Sequence, residues 1–154
     1  FLYEATKKLL ITGDYILIDI TPNIQCWSDS QNQLKHYLSS LDKIYKMEID
    51  MVLPGHRRLI DDHRARISEL KEHHQRRLKE ILEILNKHPM HAFQIASRMT
   101  WDINAETWDH FPVAQKWFAT GEAIAHLRYL EEEKKVTRKN KVGLILFSLN
   151  TNPS

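Results

Sequence analysis

The feature that most constrains this fold is a change, along the chain, in the spacing of its apolar residues. Short runs rich in leucine, isoleucine and tyrosine, which are typical of β-strands, occupy residues 8–12, 15–20 and 49–53. Apolar residues at helical spacing instead mark three longer segments, at residues 30–44, 62–86 and 113–132. The chain is therefore predicted to combine a small strand-containing part with a mostly helical part.

The first part follows the order strand, helix, strand, which is typical of an α/β sheet. Ser30 is the predicted N-cap of its helix, and Pro54-Gly55 ends the buried strand. About sixty residues with two or three strands cannot enclose a core alone, so we expect this part to pack against further chain upstream. The sequence starts at Phe1 rather than Met, in strand-like residues, which we interpret as a truncated or processed product.

The second part has a long helix, a short helix over residues 92–99, another long helix that starts after Pro112, and a hairpin. The hairpin strands are predicted at Val136–Arg138 and Gly143–Leu149, with the polar residues 139–141 as their turn. This order of elements is that of a winged-helix domain. The predicted fold class is α+β, with an α/β domain over residues 1–60 and a winged-helix domain over residues 61–154.

Composition restricts the class of protein. The 154 residues are 42% hydrophobic and 27% charged, which is typical of a soluble globular chain. Cys26 is the only cysteine, so no disulfide can form within the chain, as suits a reducing compartment. No apolar run is long enough to cross a bilayer, and no secretory signal is recognised, so a cytoplasmic location is predicted.

Two segments share one arrangement of residues. In one, a strand ends in Gly13 followed by Asp14, and in the other a strand ends in Gly55 followed by His56. Ligands gather beyond the carboxyl ends of strands in open α/β sheets, and a glycine lets the backbone turn toward an ion. Carboxylate and imidazole suit zinc, manganese or iron, although a catalytic zinc ion normally has three protein ligands. A turn and a loop without metal remain the alternative interpretation of these two segments.

The other histidines are interpreted as structural. Adjacent helix residues point about 100° apart, so His73 and His74 are not expected to share an ion. His126 is expected to be packed among apolar neighbours. The remaining candidates are predicted to be capping or surface groups, namely His88, His91 and His110.

Several motifs in order resemble the second half of metallo-β-lactamase-fold hydrolases. They are Thr12-Gly13-Asp14, Ile20-Thr21-Pro22-Asn23-Ile24, Tyr37-Leu38-Ser39-Ser40-Leu41 and Asp50-Met51-Val52-Leu53-Pro54-Gly55-His56. Downstream, residues 63–67 and 123–130 are similar to the glyoxalase-II-like and lactamase-2-like branch, whose members carry a C-terminal winged helix. The resemblance covers nearly the whole chain.

The resemblance implies a metal-dependent hydrolase, in which a metal-bound hydroxide attacks an ester, thioester, amide or phosphodiester. Asp14 matches the carboxylate that bridges two metal ions, and His56 matches the last histidine ligand of the second metal. The implied cofactor is zinc, with manganese or iron as alternatives. Two ions are expected in the intact parent, meaning the longer protein of which this chain would be a part. The family's His-x-His-x-Asp-His motif is not present, and Arg57 stands where the family usually has glycine. The metal site is thus expected to be incomplete, and this chain alone to be inactive.

The partners remain open at this stage. The expected partner of the parent is a small-molecule or thioester substrate, with a homodimer as a further expectation and no membrane. The alternative function is a nucleic-acid-binding winged helix that guides RNA in an endoribonuclease. Its basic wing would be a weak nonspecific contact formed by Lys134, Lys135, Arg138, Lys139 and Lys141. The acidic run at residues 131–133 would repel phosphates, so an accessory role of the winged helix, in covering or shaping the metal domain, is favoured.

Overall fold

A computed structural model describes residues 1–26 and 31–151. The strands are β1 (Leu2–Glu4), β2 (Leu9–Gly13), β3 (Met51–Pro54), β4 (Val136–Lys141) and β5 (Leu144–Leu149). The helices are α1 (Gln33–Tyr45), α2 (His63–Leu85), α3 (Ala92–Ala96) and α4 (Val113–Glu132), with a 3₁₀ turn at Trp108–His110. The predicted mixed α+β class is therefore confirmed.

The described chain divides into two compact units. The first contains residues 1–23 and 36–75, and the second contains residues 24–35 and 76–154. The division after Gln75 falls inside α2, whereas the sequence predicted a domain boundary after residue 60. That domain assignment stays a prediction, and each unit is described separately below.

The first unit is organised around a three-stranded sheet in the order β1-β2-β3. β1 and β2 are antiparallel, whereas β2 and β3 are parallel. Leu10 on β2 pairs with Val52 on β3, and both side chains are fully buried. Ile67 and Leu70 on α2 are also fully buried, as the helical spacing predicts. The parallel pairing brings the carboxyl ends of β2 and β3 to the same edge of the sheet.

The predicted strand at residues 15–20 is wrong, because the chain turns directly after β2. Gly13 has a φ of +55°, and the hydroxyl of Thr12 donates to the carbonyl of Ile16 at 3.2 Å. The guanidinium of Arg66 donates to the carbonyl of Leu17 at 2.6 Å. A side chain thus supplies the donor that the backbone amide of a neighbouring strand would supply in a sheet. Ile16 and Leu17 are thus buried by tertiary packing, which a β-like composition cannot distinguish from strand pairing.

The start of α1 also differs from the prediction. Ser30 lies outside the described residues. The side-chain oxygen of Asn32 accepts a hydrogen bond from the amide of Lys35 at 3.1 Å, which is the usual geometry of a helix N-cap.

The second unit contains the end of α2, then α3, α4 and the hairpin of β4 and β5. Ile81, Ile95 and Leu127 are fully buried, one from each helix. Met90, which precedes α3, exchanges two backbone hydrogen bonds with Phe147 of β5, at 3.0 and 2.8 Å. The order of the elements is the predicted one, and the assignment to the winged-helix family stays a prediction.

A buried ion pair crosses this unit from α2 to α4. The guanidinium of Arg77 lies 3.2 Å from a carboxylate oxygen of Glu122, and both side chains are at most 12% exposed. Arg77 also lies over the ring of Trp101, 4.1 Å from its centroid, and donates to the carbonyl of Thr100 at 2.9 Å. Burial raises the pKa of Glu122, and the charge of Arg77 opposes that rise.

The predicted hairpin turn at residues 139–141 is wrong, because β4 continues through Lys141. Lys141 pairs with Leu144, so the loop consists of Val142 and Gly143, with φ angles of +52° and +80°. Two positive φ angles in a two-residue loop match a type I′ turn, whose twist suits an antiparallel hairpin. The turn is therefore placed by Gly143, while the polar residues before it are exposed strand positions.

Candidate metal centre

The candidate site lies where β2 and β3 end side by side. The strands pair up to Gly13 and Pro54, with a shift of register between Ile11 and Gly13. The amide of Gly55 donates to the carbonyl of Gly13 at 2.8 Å. Because the strands are parallel, Asp14 and His56 leave the sheet at the same edge. The structure thus brings together the two residues that the sequence singled out.

The two side chains face each other. A carboxylate oxygen of Asp14 lies 3.4 Å from Nε2 of His56, and the side chains are 66% and 72% exposed. Two atoms that each lie about 2.1 Å from one zinc ion at a tetrahedral angle stand roughly 3.4 Å apart. The observed separation therefore fits two ligands of one ion. The alternative, an exposed ion pair without metal, would contribute little to stability.

The glycines make this approach possible. A Cβ on Gly55 would lie 3.0 Å from the Asp14 carboxylate oxygen and 3.2 Å from the carbonyl carbon of Gly13. Such contacts are tighter than side chains ordinarily tolerate, so a larger residue at position 55 would push Asp14 away from His56. Gly13, at φ +55°, adopts a conformation that is costly for residues with a side chain.

Arg57 marks a departure from the pattern of the family that the sequence resembles. Its φ is +73°, in the left-handed region where glycine is favoured. The glycine usual at this position would adopt this φ without strain, whereas arginine adopts it at a cost of about 1–2 kcal/mol. The loop after His56 therefore keeps a glycine-like backbone although it carries a charged side chain.

The remaining histidines largely have the predicted structural roles. Nδ1 of His91 accepts from the amide of Gln94 at 3.3 Å and caps α3. His126 is fully buried, and its Nδ1 lies 2.8 Å from the carbonyl of Glu122. Nδ1 of His110 lies 2.8 Å from the hydroxyl of Thr107, within the turn before α4.

His73 and His74 lie nearer to each other than their positions on a helix suggest. Their rings meet edge to face with centroids 5.3 Å apart, and a nitrogen of one lies within 4.8 Å of a nitrogen of the other. His74 is fully buried and also packs edge to face on Tyr37 at 5.5 Å. The structure thus brings the two rings together, although the sequence led us to expect that His73 and His74 do not share an ion.

The chain is similar to several known proteins. Residues 78–150 match the model of the family "Metallo-beta-lactamase-like, C-terminal domain". The chain is 30% identical over 87 residues to the curated Beta-lactamase-like protein 2 homolog of Caenorhabditis elegans. That match covers 56% of this chain and 27% of the relative, so the chain corresponds to only a part of that protein.

Two solved structures are similar over nearly the whole chain. A beta-lactamase domain protein from Burkholderia ambifaria has a TM-score of 0.81 and 30% identity, covering 96% of this chain and 43% of that protein. A metallo-beta-lactamase family protein from Thermus thermophilus has a TM-score of 0.74 and 30% identity, covering 95% of this chain and 44% of that protein. The chain thus has the same fold as one part, a little under half, of these metallo-β-lactamase family proteins. Its second half matches the C-terminal domain of the metallo-β-lactamase-like family.

Proposed function

We propose that this chain is the C-terminal part of a metal-dependent hydrolase in which Asp14 and His56 are metal ligands. The observation that carries the proposal is the 3.4 Å separation between the Asp14 carboxylate and Nε2 of His56, at the shared end of two parallel strands. The similarity to metallo-β-lactamase family proteins supports it. The proposal places the chain in the glyoxalase-II-like or lactamase-2-like branch, with a C-terminal winged helix.

Asp14 would bridge two ions, and His56 would bind the second of them through Nε2. Zinc suits this donor set best, with manganese or iron as alternatives. When bound, the metal would lower the pKa of a coordinated water and polarise the carbonyl or phosphoryl oxygen of the substrate. The chain's own contribution is to hold a carboxylate and an imidazole at a fixed separation on adjacent strand ends.

The substrate class follows only from the resemblance, and comprises esters, thioesters, amides and phosphodiesters. A catalytic zinc ion normally has three protein ligands, and this edge of the sheet supplies two among the described residues. We therefore propose that the chain alone binds metal more weakly than its parent and does not catalyse hydrolysis.

A zinc titration of the 154-residue chain tests the site. Isothermal calorimetry should show saturable binding that becomes at least tenfold weaker in Asp14→Ala and in His56→Ala. The matched controls are Asp50→Ala and His36→Ala, an exposed carboxylate at the opposite end of β3 and an exposed imidazole on α1. The proposal is wrong if the site variants bind zinc as the controls do, or if the wild-type chain binds none.

For the second unit we propose an accessory role. In the hairpin, Lys139 and Lys141 are exposed, whereas Arg138 is paired with Glu131 at 3.1 Å. Arg138 is thus partly neutralised, and the exposed lysines can contact only a few phosphates. Any nucleic-acid contact through this hairpin would accordingly be weak and nonspecific. We therefore favour an accessory role, in which the second unit covers or shapes the metal-bearing domain.

A further inference from the structure

The turn that carries Asp14 is held by hydrogen bonds on both sides of that residue. Before it, the carbonyl of Gly13 accepts from Gly55. After it, the amide of Tyr15 donates to the carbonyl of Thr12 at 3.1 Å. These bonds fix the backbone of the turn to β2 and β3, but none of them reaches the helix that packs behind it.

Two tyrosines make that link. The phenol of Tyr37, on α1, donates to the carbonyl of Tyr15 at 3.1 Å, and the phenol of Tyr15 donates in return to the carbonyl of Tyr37 at 3.4 Å. Their ring centroids are 4.9 Å apart. Each tyrosine thus holds the main chain of the other, and the carbonyl that Tyr37 holds belongs to the residue directly after Asp14.

The surroundings of Tyr37 keep its phenol in place. Its side chain is 4% exposed, and its ring packs edge to face on His74 of α2 at 5.5 Å. Burial raises the pKa of the Tyr37 phenol above its ordinary value, so the phenol keeps its proton and remains a donor at neutral pH. A buried donor that has lost its acceptor costs stability, which favours the observed position of the turn.

We propose that Tyr37 is a positioning residue for the metal site, because its phenol holds the Tyr15 carbonyl and thereby fixes the position of the Asp14 carboxylate relative to His56. The inference rests on the proposed function, since it assigns to Tyr37 an effect on metal binding through a ligand that it does not itself contact.

The test is Tyr37→Phe in the full chain, which keeps the ring and removes the donor. Tyr3→Phe is the matched control, because the Tyr3 phenol also donates to a backbone carbonyl of the first unit, that of Glu48 at 2.7 Å. Tyr15→Phe removes the return bond and the hydrogen bond between the Tyr15 phenol and Ser40, but keeps the bond from Tyr37. Two quantities are measured: the zinc affinity by calorimetry, and the hydrogen exchange rates of the Tyr15 and Gly55 amides in metal-free protein by NMR.

In Tyr37→Phe we expect both amides to exchange about tenfold faster than in Tyr3→Phe, and zinc to bind about tenfold more weakly. Tyr15→Phe should have a smaller effect on both. Equal exchange rates at Tyr15 and Gly55 in Tyr37→Phe and Tyr3→Phe would overturn the inference, as would an unchanged zinc affinity. If the wild-type chain binds no zinc, the proposed function is wrong. The exchange rates of the two amides then still show whether the Tyr37 phenol holds the turn.

Discussion

Replacing Val142 with asparagine should stabilise the chain, although Val142 is an apolar residue. Val142 is the first loop residue of the hairpin, with a φ of +52°, and Gly143 follows at +80°. A β-branched residue is strained in the left-handed region, whereas Asn-Gly is a favoured pair for a type I′ turn. The valine side chain is 97% exposed, so no burial is lost when it is replaced.

The magnitude follows from these two facts. The left-handed conformation costs a residue with a side chain about 1–2 kcal/mol, and asparagine recovers a part of this cost. With no lost packing to subtract, Val142→Asn should raise the free energy of unfolding by about 1 kcal/mol. In a chain of this length that corresponds to an increase in Tm of roughly 2–4 °C. Gly143→Ala should have the opposite sign and similar size, because alanine would be forced to a φ of +80°.

Urea denaturation followed by tryptophan fluorescence measures this effect, since Trp101, Trp108 and Trp117 all lie in the same compact unit as the hairpin. Val113→Asn is the control, because Val113 is also exposed, at 83%, but is the first residue of α4 and does not have a positive φ. The reasoning is refuted if Val142→Asn is no more stable than Val113→Asn, or if Gly143→Ala leaves the unfolding midpoint unchanged.

Two further predictions concern the second unit. Arg77→Met leaves the Glu122 carboxylate buried without its cation and should cost about 3 kcal/mol at pH 7. Burial raises the folded-state pKa of Glu122, and loss of Arg77 removes the charge that opposes this rise, so the Glu122 carboxyl takes up a proton more readily at low pH. Urea denaturation should therefore show a smaller loss at pH 4.5 than at pH 7, and Arg77→Met/Glu122→Gln should lose this pH dependence. For the hairpin, fluorescence anisotropy with single-stranded RNA at 50 and 200 mM salt should show no micromolar binding; micromolar binding with a steep salt slope, lost in Lys139→Ala/Lys141→Ala, would contradict the accessory role.

Local sequence signals were sufficient for the long helices. α2 and α4 were predicted within about a residue of their ends because their apolar spacing is strong and extends over several turns. The meeting of Asp14 and His56 was also predictable, since the two strands that precede them were expected to lie in one sheet and to end at a common edge. A glycine before each residue marked the place where the backbone turns.

Tertiary packing determined the features that sequence did not predict. Ile16 and Leu17 are apolar because they are buried, so their strand-like composition was misleading. The hairpin turn was misplaced because a valine occupies its first loop position, where asparagine or glycine is the recognisable signal. The hydrogen bond from Tyr37 to the carbonyl of Tyr15 joins residues 22 positions apart, and no local pattern indicates it.

The central claim is that the Asp14 carboxylate and Nε2 of His56 are ligands of one metal ion. Crystals of the chain soaked in zinc, with anomalous diffraction measured on both sides of the zinc absorption edge, test it most directly. The account predicts a zinc peak within about 2.2 Å of both atoms. A well-occupied zinc peak at other side chains, with none between Asp14 and His56, would contradict it.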